Sequence, residues 1–171
     1  MKEEKLKFIN NEVLSLTILG GLGRGYPVYR TAIRENDKNN LKIFLRKQLY
    51  QYGERYKNDI DEKKHVENIK EFVQDITNKY GKILKDNKFR VGRAQKLLNL
   101  YLKYLWVLGK ISNPPHCPFD RKIIEELGLD INWTKLDSID DYKKMVEKAR
   151  NTAKDNNVSI AEWELKMWSQ K

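Results

Sequence analysis

The sequence predicts an all-α protein: a single domain over residues 1–171, with about seven helices around one buried central helix at about 93–108. Three observations carry that expectation. Apolar residues recur every three or four positions in segment after segment, and nowhere alternate as a strand requires. Glycine and proline fall between those segments rather than inside them. The stretch Leu97 to Leu108 is apolar nearly all round, as a helix covered on most sides should be.

Taken in order, Glu3 to Leu19 form a first helix with Leu6, Ile9, Val13 and Leu16 on one face. It ends in Gly20 to Gly25, where four glycines in six residues let the backbone approach another group closely. Asn36-Asp37 offers a cap for a second helix, with the stripe Leu41, Leu45, Leu49 and Tyr52, and Gly53 near its end. Asp59 or Asp61 caps a third that runs to about Tyr80, with Val66, Ile69, Phe72 and Ile76 inside. His65 falls among Lys63, Lys64 and Glu67 and reads as a solvated surface residue. A polar connection rich in lysine and arginine leads to the central helix, where Lys96 and Lys103, seven apart, make one basic stripe.

Gly109 and the Pro114-Pro115 pair end that helix and force an extended turn presenting His116, Cys117 and Asp120. Asp120 to Leu127 make a short helix closed by Gly128, and Trp133 anchors the irregular stretch that follows. Ser138 caps a helix through Ala153. Ser159 with Glu162 opens the last one, which docks through Ile160, Trp163 and Trp168.

Charge narrows the function. The net charge of +10 on 171 residues favours a polyanionic partner, because neutralised phosphates release counterions. A generally lysine-rich solvated surface is the plainer reading of the same number. One cysteine excludes an internal disulfide and suits a reducing, cytoplasmic setting. With two distant histidines it also argues against a structural metal site, and no cofactor motif is present. The charged start of the chain has no apolar signal core, and Lys103 interrupts the longest apolar run, so no membrane span is expected.

No familiar catalytic motif occurs, so any site is assembled from scattered residues. After the glycines come Arg24, Tyr26, Tyr29 and Arg30: a phosphate-binding loop with arginines for charge and tyrosines for stacking, or a helix terminator and a turn. Asp120 is either an N-cap or a carboxylate facing a cleft, where it stabilises a cation or orients water, with His116 beside it. Cys117 reads as a buried, inert thiol.

The run from Val91 to Leu129 resembles the helix-hairpin-helix base-excision DNA glycosylases. Val91-Gly92 matches the turn that opens a helix, Phe119-Asp120 the aspartate position, and Glu126 to Leu129 the end of the short helix. The resemblance implies backbone N–H groups at Val91-Gly92 holding a DNA phosphate, and Asp120 as the carboxylate that stabilises the sugar as the base departs. The chain departs from the pattern at Phe89-Arg90, where the hairpin has an earlier glycine, and at Ala94, the lysine position of lyase-competent members.

The leading expectation is therefore a cytoplasmic DNA-binding protein acting as a monofunctional DNA glycosylase, a hydrolase of DNA repair. Arg24, Arg30, Lys88, Arg90, Arg93 and Lys96 are candidates for phosphate, Tyr26 and Tyr29 for stacking, Gln95 and Asn99 for a base edge, Asp120 and His116 for chemistry. A non-catalytic nucleic-acid module needs the same basic faces without Asp120. A helical protein-interaction factor of phage–host conflict would instead expose Trp163 and Trp168. Exposure of those two tryptophans separates this third reading from the first two, and an active site becomes the default where Gly20–Arg30 and His116–Asp120 line one cleft.

Overall fold

The computed structural model describes residues 1–170, and over them the protein is all-helical. The helices are α1 (Lys2–Leu22), α2 (Glu35–Arg55), α3 (Glu62–Tyr80), α4 (Val91–Val107), α5 (Arg121–Glu126), α6 (Ile139–Asp155) and α7 (Ile160–Ser169), with 3-10 turns at Gly81–Ile83, Lys85–Asn87 and Trp133–Lys135. The sole β interaction among the described residues is an isolated antiparallel bridge between Tyr29 and Leu84. No described helix is long and apolar enough to cross a membrane.

α4 is the centre, packed by α1, α2, α3 and α6. Leu97, Leu98 and Leu102 are wholly buried in it. It ends as its sequence suggests. Gly109 takes φ +67, and the N–H groups of Gly109 and Lys110 reach back to the carbonyls of Trp106 and Leu105. That double bond needs a left-handed residue, which glycine supplies without a Cβ clash. Caps fall where expected on four helices: Asp61, Asp120, Ser138 and Ser159 each accept from a backbone N–H three residues on. The second helix differs, beginning after Arg34, whose guanidinium bonds to Asp37.

α1 departs most from its sequence reading. It continues through Gly20 and Gly21, which serve contact rather than termination: a Cβ on Gly21 would lie 2.4 Å from Leu97. Without side chains there, α1 lies close against α4. The buried face is Val13, Leu14, Thr17 and Ile18, while Leu6, Phe8, Ile9, Leu16 and Leu19 are exposed. Apolar residues occupy two faces of this helix, so periodicity alone cannot choose between them.

His65 is also corrected. It is fully buried, not a surface residue. α3 turns it inward, where Tyr56 and Asn68 give it polar company that sequence neighbours did not reveal. In α7, Trp163 is buried and Trp168 half-buried, with the ammonium of Lys122 4.9 Å from its ring.

Candidate active site

A cleft of about 1170 Å³ runs between the end of α1, the outer face of α4, the start of α5, the 3-10 turn at Trp133 and α7. Its lining includes Arg24 and Gly25 from the glycine loop together with Asp120. These two parts of the sequence thus meet at one site. Leu16, Leu19, Leu100 and Tyr104 make one wall apolar. Lys96, Lys103, Asp120 and Glu164 bring charge into the cleft.

Asp120 does two things at once. Its Oδ1 accepts from the N–H of Ile123 at 3.1 Å and starts α5. Its Oδ2 accepts from Lys96 Nζ at 2.7 Å. Cap and cleft carboxylate, alternatives in the sequence, are thus served by different oxygens. The side chains are 8% and 16% exposed, so the pair is shielded yet still reached from the cleft. Seven residues along α4, Lys103 Nζ makes the same kind of pair with Glu164, whose side chain is 1% exposed.

The approach of Asp120 is fixed from α4. The amide of Gln95 grips the backbone of Phe119 at both ends, donating to its carbonyl at 2.6 Å and accepting from its N–H at 3.1 Å. An extended segment cannot satisfy these groups itself, and a buried unpaired one costs about 1–3 kcal/mol. Gln95 is therefore a backbone clamp rather than a base reader. Asn99 is likewise buried, donating to Tyr142 Oη at 3.1 Å and to Gln95 Oε1 at 3.3 Å.

Other sequence candidates are engaged elsewhere. Arg93 is buried, and its guanidinium gathers the carbonyls of Gly21, Arg24 and Tyr26. It shapes the glycine loop and has no face for phosphate; burial pulls its pKa down to about 10. The N–H of Gly92 donates to Leu136 at 2.9 Å, and a Cβ there would sit 1.7 Å from the Trp133 carbonyl oxygen. The Val91-Gly92 turn is thus filled by the chain itself instead of by a phosphate. Arg90 bonds to both Asp86 and Asp137, and Lys88 pairs with Asp137 at 2.7 Å. Tyr26 already has Arg90 and Lys135 against its ring, and Tyr29, half-buried, has Lys38. Burial raises the Tyr29 hydroxyl to about 12. Arg30 is exposed near the Lys82 carbonyl, outside the cleft lining. Arg24 is exposed at the cleft, and Lys96 lies in it.

His116 does not join Asp120 in the cleft. It is buried, 4.6 Å ring to ring from His65 and perpendicular to it. Tyr56 Oη accepts from Asn68 and hydrogen-bonds His65 Nδ1 at 2.6 Å. Tyr142 Oη accepts from Asn99 and hydrogen-bonds His116 Nδ1 at 2.7 Å. Burial lowers both imidazole pKa values, that of His65 furthest, while Glu62 Oε1, 3.5 Å from His116 Nε2, pulls that ring the other way. Cys117 is buried, and burial pushes its thiol well above the ordinary range.

No family model, no curated protein and no solved structure matches this chain. What the cleft can do is therefore read from its own groups. A carboxylate and an ammonium 2.7 Å apart beside an apolar wall can offset developing charge and exchange a proton. Among the described residues no group of three or more His, Cys, Asp or Glu is placed to hold a metal ion.

Sequence reasoning missed Lys103 and Glu164 as site residues. The seven-residue spacing of Lys96 and Lys103 was a usable signal, since it sets both on one face of α4. Nothing local marked Glu164 as their partner.

Proposed function

We propose that the protein binds DNA inside the cell and that this cleft excises bases from it. The observation that carries the reading is the Lys96–Asp120 pair in a cleft edged by Arg24. A ring extruded from the duplex would lie against Leu16, Leu19 and Tyr104, with its sugar toward Asp120. As the base leaves, positive charge grows on the sugar, and the carboxylate offsets it. Water held by Asp120 completes hydrolysis. The resemblance of residues 91–129 to the helix-hairpin-helix glycosylases adds to this reading through Asp120 and the short helix behind it.

The proximity of Lys96 favours a second course. Lys96 passes a proton to Asp120, its freed amine attacks C1′, the base departs with the electron pair of the broken bond and takes up that proton, and an imine joins lysine to the opened sugar. The test is base release from duplexes carrying damaged or modified bases, with abasic sites cut by alkali. Borohydride added during turnover separates the courses. A protein–DNA adduct that vanishes in Lys96→Met means amine attack, and release without adduct means hydrolysis. Release from no substrate, with binding retained, leaves a nucleic-acid-binding module.

A further inference from the structure

The cleft holds a second carboxylate that the hydrolysis above leaves idle. Lys96 and Lys103 lie two turns apart on α4, about 10 Å along its axis at 1.5 Å per residue. Asp120 comes to the first from the start of α5, and Glu164 to the second from within α7. Glu164 is 1% exposed, and yet it lines the cleft. Ionisable groups are seldom buried this far, and an apolar residue would hold α7 at lower cost.

The two carboxyl groups differ in what is left open on them. Both Asp120 oxygens accept hydrogen bonds, Oδ1 from Ile123 N–H and Oδ2 from Lys96. Lys103 Nζ lies 2.9 Å from Glu164 Oε1 and 2.8 Å from Oε2, so the two oxygens of Glu164 share a single ammonium. Burial raises the Glu164 carboxyl above its ordinary range, against the pull of Lys103 and Lys96, while the charge of Asp120 adds to the rise. A DNA phosphate drawing Lys103 away would free the carboxyl further.

Paired carboxyl groups at a glycosidic bond divide the work. One protonates the leaving group, and the other takes a proton from the attacking water. We propose that Glu164 is the acid that protonates the departing base, opposite Asp120. The assignment rests on the base-excision reading. The bond between C1′ and the base nitrogen breaks, and its electron pair goes to the base. The proton of the Glu164 carboxyl passes to that base. The cation left at C1′ is captured by water, which loses its proton to Asp120. The products are a neutral free base and a C1′ hydroxyl, and solvent returns the proton from Asp120 to Glu164. The substrates implied are neutral bases, which are poor leaving groups unless protonated.

The experiment uses duplexes carrying uracil, hypoxanthine, 8-oxoguanine or 7-methylguanine, with single-turnover release measured for wild type, Glu164→Gln and Glu164→Asp. Hypoxanthine and 8-oxoguanine need a proton to leave well, and uracil, which can leave as its N1 anion, is the intermediate case. 7-Methylguanine is already cationic and needs none, so it also reports whether the variant is folded. Glu164→Gln should slow release of a neutral base by on the order of a hundredfold or more, the usual scale for a lost general acid. Release of 7-methylguanine should fall far less than release of a neutral base, and Glu164→Asp should restore part of the neutral-base rate. Equal loss on both classes, or loss on neither, overturns the assignment while base excision stands. A wild type that releases none of the four overturns the base-excision reading for these bases, and the assignment falls with it.

Discussion

Lys96 Nζ lies 2.7 Å from Asp120 Oδ2 and ties the middle of α4 to the first turn of α5. The contact spans 24 residues of sequence and gives Asp120 a partner beyond its helix cap. Asp120→Asn keeps the cap oxygen and removes the charge. It should therefore abolish base release by on the order of a hundredfold or more. It should also leave a mostly buried ammonium poorly paired, costing about 1–3 kcal/mol in urea unfolding. Lys96→Met added to Asp120→Asn should recover part of that loss, since the unpaired charge is gone. Full base release in Asp120→Asn would move the chemistry elsewhere.

Arg93 and Arg24 should separate shape from binding. Arg93→Ala strips the donors from three carbonyls of the glycine loop, and should cost about 3 kcal/mol or more by denaturant midpoint. Arg24→Ala should leave the midpoint in place. It should weaken DNA binding and lower the slope of log affinity against log salt by about one. Fluorescence anisotropy across a salt series reads both numbers, and an unchanged slope would remove Arg24 from the interface.

Tyr142 links α6 to α4 and to the proline turn through one hydroxyl. Tyr142→Phe keeps the ring against Phe119 but leaves His116 Nδ1 without its hydrogen-bond partner and deprives Asn99 of one acceptor. A loss of about 1–3 kcal/mol is expected. A midpoint at the wild-type value would mean that water takes over the hydroxyl's place.

The buried histidines set a pH dependence. Burial holds their folded pKa values below the ordinary imidazole value of about 6.5, so the unfolded chain binds protons that the folded chain refuses. Stability from these groups is complete above about 6.5 and is lost as pH falls toward the folded values. Urea midpoints should be level from pH 8 to 7 and decline from pH 6.5 to 5, with a smaller decline in His65→Gln. A midpoint that rises on acidification through this range would show that the imidazoles are charged in the fold.

The sequence by itself determined the helices and most of their ends. Asp61, Asp120, Ser138 and Ser159 cap backbone N–H groups three residues away, and Gly109 and Gly128 close helices within one turn. Such bonds are local, so their chemistry is written in adjacent letters. It also determined that Lys96 and Lys103 share a face, because helical period alone fixes that. Tertiary structure decided the rest. Lys103 finds Glu164 across 61 residues, and Arg93 finds Gly21 across 72. His65 sits among charges in sequence but among Tyr56, Asn68 and His116 in space. α1 could bury either of two apolar faces, and only packing against Leu97 selected the one that carries Gly21. Burial and pairing depend on which surfaces come together, and local period carries no record of that.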